Sequence, residues 1–258
     1  MRARRSNAGV NLILLTDDDR RDGGRFDVCG TRALHIRDVL RAEPGRELRV
    51  GLLEGPLGRG RVAEATDDAV VLDCEFDAEP PPRPLVDLVL AVPRPKSLAK
   101  LWPEIAALGV DRVVLLRTWR VAKPYLTARA LDPSVYRPLL HEGMMQAKTT
   151  REPRVTVELL FKPWVEDRAA AFVGDALALV AHPVAAAPLA AVRVAATQRV
   201  VVAVGPEGGF VPYEVEALER AGFRAVSMGE RTLRVETATV ALLSQIDLLR
   251  RLGARLQP

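Results

Sequence analysis

The chain has 258 residues, 48% of them hydrophobic and 27% charged, with a formal net charge of +4. That length allows one large domain or a small one beside a medium one, and so modest a basic excess fits a nucleic-acid partner without pointing to one. Two cysteines, Cys29 and Cys74, exclude a disulfide framework, and three scattered histidines, His35, His141 and His182, leave no ligand set for a metal. The N-terminal MRARRSNAGVNLILL carries an apolar run too short for a signal peptide and passes straight into TDDDRR. With no apolar run of 18 residues elsewhere, a membrane is not an expected partner and the chain reads as cytoplasmic.

In chain order, RFDVCG, ELRVGLLEG, GRGRVAEA and AVVLDCEF read as short strands set apart by turn residues. One helix, TRALHIRDVLRAEPG, falls between the first two and is stopped by Pro44-Gly45. Closely spaced strands with a single helix predict a small β-barrel over residues 1–78. EPPPRP, residues 79 to 84, is too rich in proline for a helix or a central strand and marks the boundary.

From residue 84 to 258 the rhythm changes. LVDLVLAV (85–92), DRVVLLR (111–117), RVTVEL (154–159), DALALVA, QRVVVAV and RAVSM read as strands. Between them lie helical patterns: SLAKLWPEIAALG (97–109), which Pro103 kinks or begins, a stretch near 133–148, KPWVEDRAAAF, and YEVEALERAG. The chain ends on ETATVALLSQIDLLRRLG, with Val240, Leu243, Ile246 or Asp247, and Leu249 along one side. Strands alternating with helices predict a mostly parallel sheet covered on both faces. Trp102, Trp119 and Trp164 are expected in the core, and His35 within the first helix.

Two short stretches carry chemistry. GPEGGF, residues 205 to 210, follows the apolar VVVAV and so falls at the carboxyl end of a buried strand, where parallel sheets bind ligands. Gly205, Gly208 and Gly209 allow main-chain amides to approach a ligand closely. The spacing is neither of the two phosphate-binding glycine patterns, no lysine follows, and Glu207 repels phosphate. A ligand without phosphates, or with a positive centre such as the sulfonium of S-adenosylmethionine, fits better. The plain alternative is a tight turn in which Glu207 caps the next helix. The second stretch, MGERTLRVETATV (228–240), also follows a strand and opens a helix, with Glu236 and Thr237 suited to its first turn. Arg231 and Arg234 sit in the loop, where helix stability alone does not require them. Two such loops on one sheet edge predict a shared pocket.

GPEGGF at 205–210 together with MGERTLRVETATVAL at 228–242 closely resembles the 16S rRNA (uracil-N3)-methyltransferases of the SPOUT superfamily. HIRDVLRAEPGRELRV (35–50), LGVDRVVLL (108–116) and the arginine at 120 resemble earlier parts of that family more weakly. The sequence departs from the family at EIAALGV, with Glu104 and Ala107, and at residues 145–149, where only Gln146 of a family motif is kept.

The resemblance implies a PUA-like RNA-binding barrel followed by an α/β domain with a C-terminal trefoil knot, the last helix threading a loop formed by the preceding strands. It implies S-adenosylmethionine as cofactor, ribosomal RNA of the small subunit as substrate and a homodimer. Cofactor contacts would come from Ala181 and His182, from Gly205, Glu207, Gly208 and Gly209, and from Met228, Gly229, Leu233, Thr237 and Ala238. Arg37, Arg41, Arg120, Lys148 and Arg151 would touch RNA.

Methylating N3 of a uridine requires loss of its proton, so Arg234 and Arg231 are candidates to stabilise charge on the uracil oxygens, and Glu236 to orient them or take the proton. A structural ion pair with Glu207, Glu230 or Glu236 is the plainer role for these arginines. A different RNA nucleoside as target, or an RNA-binding module without turnover, are the competing functions.

Overall fold

The computed structural model describes residues 12–255; residues 1–11, on which the signal-peptide reading rests, lie outside it. The chain forms two compact units, one running to Arg83 with His141–Glu152 added, the other holding Pro84–Leu140 and Pro153 onward. The expected cut at the proline run is therefore not the only one. Residues 141–152, read from sequence as part of the second domain, group with the first.

The first unit is a curled, five-stranded mixed sheet in the order β1-β3-β4-β5-β2. Its strands are β1 (Ile13–Leu15), β2 (Arg25–Cys29), β3 (Glu47–Leu52), β4 (Leu57–Ala65) and β5 (Ala69–Phe76). The last four are those expected, and alternate residues of β4 and β5 point inward as period two requires. Phe26, Val28, Val50, Val62, Val70 and Leu72 fill the concave face. β1, which the sequence reading missed, pairs in parallel with β3. The expected helix is shorter than read: α1 (Gly30–Leu34) passes into a wide π-type turn over His35–Val39 and ends before Arg41, whose φ is 48°.

Residues 141–152 belong to this unit by specific bonds. Leu12 N–H donates to the Met145 carbonyl at 3.0 Å, buried Thr150 donates from Oγ1 to the Gly55 carbonyl at 2.6 Å, and Glu54 N–H donates to the Thr150 carbonyl at 2.8 Å. The Arg151 guanidinium donates to the carbonyls of Pro81 (2.6 Å) and Glu54 (3.1 Å).

The two thiols differ. Cys29 is exposed, whereas desolvation, and then the Asp73 carboxylate, push the Cys74 thiol up to about 12. Because the thiolate is the reactive form, iodoacetamide at pH 8 is expected to alkylate Cys29 and to leave Cys74 at least about 100-fold slower. Peptide mapping before and after unfolding in urea checks this; comparable rates in the folded protein would contradict it.

The second unit is a six-stranded, wholly parallel sheet in the order β11-β9-β10-β6-β7-β8. The strands are β6 (Val86–Ala91), β7 (Arg112–Leu116), β8 (Arg154–Glu158), β9 (Leu177–Ala181), β10 (Val200–Val204) and β11 (Phe223–Val226). β6 and β10 are buried at every position, which is why they read as unbroken apolar runs. The helices are α2 (Pro95–Ala107), α3 (Pro133–Ala147, divided between the units at His141), α4 (Phe161–Asp167), α5 (Ala169–Val173), α6 (Pro212–Arg220) and α7 (Val235–Arg255). Pro103 lies inside α2 and does not begin it.

At the amino ends of the strands two buried carboxylates are shared among arginines. Asp87 accepts from Arg112 at 2.6 Å and Arg199 at 2.9 Å, while Asp111 accepts from Arg154 at 2.8 Å and Arg199 at 3.1 Å. Arg112 also stacks on Phe172 at 4.1 Å.

The buried face of α7 is Val235, Thr239, Leu242, Leu243 and Ile246; Leu243 and Ile246 lie on the predicted side, whereas Val240 and Leu249 are half-buried and Asp247 is exposed. Near its end Arg250 donates to the carbonyls of Leu85 (3.1 Å) and Gln198 (3.0 Å). A β-carbon on Gly253 would stand 2.0 Å from the Val194 carbonyl oxygen. The end of α7 therefore packs closely on the 194–198 segment.

Trp102 and Trp164 are buried as expected, but Trp119 is 84% exposed. Among the described residues no helix is long and apolar enough to cross a membrane.

Candidate active site

β10 lies between β9 and β6, with Val204 level with Ala181 on one side and Leu90 on the other. β11 flanks β9, with Val226 also level with Ala181. Four neighbouring strands therefore end together at the carboxyl edge. The segments that follow them enclose a cleft of about 720 Å³, ample for a drug-sized ligand.

Every candidate catalytic residue, Arg231, Arg234 and Glu236, lines this cleft. So do Ala181 and His182 after β9, Gly205, Glu207, Gly208 and Gly209 after β10, and Met228, Gly229, Leu233 and Ala238 around the start of α7. Thr237 does not; its side chain is exposed. The sequence reading missed one whole wall, Arg94, Lys96 and Ser97 after β6. Its signal was the run VPRPKS directly behind a buried strand.

The glycine turn has the shape its composition allows. A β-carbon on Gly205 would stand 3.0 Å from the Phe210 nitrogen and 3.1 Å from its ring, so a glycine lets the loop fold back closely on buried Phe210. Gly209 holds φ at +72°, a left-handed conformation that side chains rarely adopt.

The carboxylate in this turn has a partner. Glu207 Oε1 accepts the Arg94 backbone N–H at 2.9 Å, tying the turn after β10 to the one after β6. It does not cap α6. That is done by Glu214, 2% exposed, whose Oε2 accepts from Val211 N–H at 2.9 Å and whose Oε1 accepts from Trp119 N–H at 2.6 Å.

Glu236 sits in the first turn of α7 and accepts the Ser97 hydroxyl at 3.0 Å. Its own backbone amide at the helix start holds its carboxyl below the usual carboxylate range; partial burial opposes this, and Ser97, Arg234 and Lys100 add to it. A carboxylate made more acidic is a poorer proton acceptor, so the geometry favours orientation over proton removal for Glu236.

Arg231 and Arg234 are exposed, and among the described residues neither forms an ion pair with a carboxylate, contrary to the plainer reading of them as structural pairs.

The residues expected to touch RNA are distributed over both units. In the first, Arg37 bonds Asp38 at 2.8 Å and the Asp67 carbonyl at 2.7 Å, Arg41 and Lys148 are exposed with φ of 48° and 59°, and Arg151 is engaged internally as described. In the second, Arg120 donates to the Gly208 carbonyl and so packs against the glycine turn. Among the described residues no group of three or more histidine, cysteine or acidic side chains could hold a metal ion.

A parallel sheet of this order, with a loop-built cleft at one edge and a long helix closing it, is the α/β architecture of SPOUT-type methyltransferases. The chain belongs to the family described as the RNA methyltransferase domain, whose sequence model matches residues 80–247. It is 28% identical over 240 residues to the ribosomal RNA small subunit methyltransferase E of Treponema pallidum, covering 90% of this chain and 88% of that one. To the protein of the same name from Mycobacterium bovis it is 29% identical, covering 93% and 92%. Among solved structures it resembles a ribosomal RNA small subunit methyltransferase E from Neisseria gonorrhoeae bound to S-adenosyl methionine, with a TM-score of 0.75, 19% identity and coverage of 93% and 98%. A probable rRNA-methyltransferase from Porphyromonas gingivalis gives a TM-score of 0.72 at 24% identity, with coverage of 93% and 98%.

Proposed function

We propose that the protein methylates N3 of a uridine in small-subunit ribosomal RNA, taking the methyl group from S-adenosylmethionine and acting as a homodimer. The observation that carries this reading is the glycine turn itself. It folds back on Phe210 and holds one carboxylate, Glu207, fixed by the Arg94 amide, with no lysine of its own to neutralise phosphate. Such a cradle suits a cationic ligand without phosphates and works against a nucleoside triphosphate. Glu236, whose carboxyl is held below the usual range, is a second carboxylate in a cleft that Arg94, Lys96, Arg231 and Arg234 also line. The dimer and the ribosomal substrate draw support from the sequence resemblance and from the names of the relatives.

When bound, S-adenosylmethionine supplies an electrophilic methyl group on a sulfonium centre. The residues of the cleft contribute position and charge. Arg231 and Arg234 face the cleft unpaired, so their guanidinium groups are available to a uracil carbonyl, where negative charge accumulates as the N3 proton leaves. Arginine stays protonated and cannot take that proton, so its part is to hold charge on the carbonyl oxygen. Holding base and donor in line supplies the rest, since the sulfonium is reactive once aligned.

Calorimetric titration tests the reading first. S-adenosylmethionine is expected to bind one site per chain, and ATP to give no heat. Nucleoside mass spectrometry of ribosomal RNA from cells lacking the protein then tests the target, with 3-methyluridine expected to vanish from the small subunit. A folded protein that ignores the sulfonium compound and binds ATP would refute the proposal.

A further inference from the structure

The segment after β7, RTWRVAKPY over residues 117–125, holds an indole that packing does not explain. Trp119 is 84% exposed, while the two other tryptophans are buried at 0% and 2%. Its backbone is anchored at the amide, and the side chain of the next residue is anchored too. Trp119 N–H donates to buried Glu214 at 2.6 Å, and the guanidinium of the next residue, Arg120, donates to the Gly208 carbonyl. A β-carbon on Gly208 would meet Arg120 Cδ at 2.9 Å, so the segment lies directly against the glycine turn of the cleft. A second aromatic, Tyr213, 46% exposed, adjoins the same Glu214 in sequence. Cations outnumber carboxylates around it: Arg117, Arg120 and Lys123 lie on the segment, and the cleft carries Arg94, Lys96, Arg231 and Arg234 beside Glu207 and Glu236.

We propose that Trp119 is a stacking platform for a base of the RNA strand that carries the target nucleotide; this rests on the methyltransferase reading above. A large aromatic face held in water by a rigid backbone, among cations, is the arrangement that binds single-stranded nucleic acid by stacking and phosphate contact. A second copy of the chain is the other candidate occupant. A two-fold contact through this patch would bring together two surfaces that each carry Arg117, Arg120 and Lys123, an accumulation of like charge that disfavours it.

With the other two tryptophans buried, Trp119 dominates the solvent-accessible emission of the protein. A single-stranded, uridine-containing oligoribonucleotide is expected to quench that emission. Trp119→Ala should weaken binding of this RNA by about 10- to 100-fold, and Trp119→Phe should keep it within a few-fold of the unchanged protein. In turnover the Trp119→Ala loss should fall on KM for RNA more than on kcat. Affinity for S-adenosylmethionine should be the same in all three proteins, which also reports that they are folded. RNA binding by Trp119→Ala at unchanged affinity would overturn the proposal. So would an emission shift that follows protein concentration without RNA, since the occupant would then be a second copy. Quenching by RNA in a protein that fails to bind S-adenosylmethionine would count against the methyltransferase reading and support the stacking role on its own.

Discussion

Replacing Arg234 with alanine is expected to slow methyl transfer by about 100-fold, the usual loss when one donor to a developing negative charge is removed. Affinity for S-adenosylmethionine should stay within about threefold, because the contribution sought is one made in the transition state. The side chain lines the cleft, is exposed, and forms no ion pair among the described residues, so its removal leaves no buried charge behind. The backbone at this position is held independently of the side chain: the Arg234 carbonyl accepts Ala238 N–H at 2.7 Å in the first turn of α7. Arg234→Lys should recover part of the rate, since it restores charge but not the planar fork. Single-turnover transfer of a labelled methyl group, read beside calorimetry, separates the outcomes. Equal loss of cofactor affinity and rate would assign Arg234 to structure.

The second large effect concerns stability. Asp87→Ala is expected to cost about 3–5 kcal/mol, the range for breaking a buried ion pair from one side. The Asp87 carboxylate is fully buried and accepts from Arg112 at 2.6 Å and from Arg199 at 2.9 and 3.0 Å. Without it Arg112 keeps its contact with the Phe172 carbonyl, and Arg199 keeps Asp111 at 3.1 Å, but two guanidinium groups then face the foot of β6 with too few acceptors. Asp87→Asn should cost less, because one oxygen acceptor remains. Urea denaturation followed by far-ultraviolet circular dichroism measures both. A loss under about 1 kcal/mol for the alanine variant would show that the arginines find other partners or water.

Much of this architecture is legible from local pattern. The continuous apolar runs LVDLVLAV and QRVVVAV announce strands buried on both faces, and the observed β6 and β10 are buried at every residue. The two loops of the cleft are contiguous in sequence, so glycine spacing and a helix start with an acidic first turn reveal them. What the sequence hid depends on distant pairings. Arg94–Ser97 joins the cleft because β6 neighbours β10, more than a hundred residues later, and the Glu207 bond to Arg94 N–H cannot be read from either segment alone. β1 is three residues whose parallel partner, β3, lies far along the chain, and so short a run has no period to recognise. The helix near 133–148 is plain from its pattern, but nothing in that pattern assigns its second half to the first unit. Trp119 was placed in the core by residue type; the fold instead spends the buried Glu214 on its backbone and leaves the ring in water.

The bonds from residues 145–152 to the first sheet have a consequence for biosynthesis. The carbonyls of Gly55 and Pro81 and the N–H of Glu54 take partners from Thr150 and Arg151, and Leu12 N–H takes one from Met145. A nascent chain that has emerged only to the proline run thus carries a sheet with open valences. These bonds to the amino-terminal unit form only after translation has already delivered the first two strands, β6 and β7, of the other sheet.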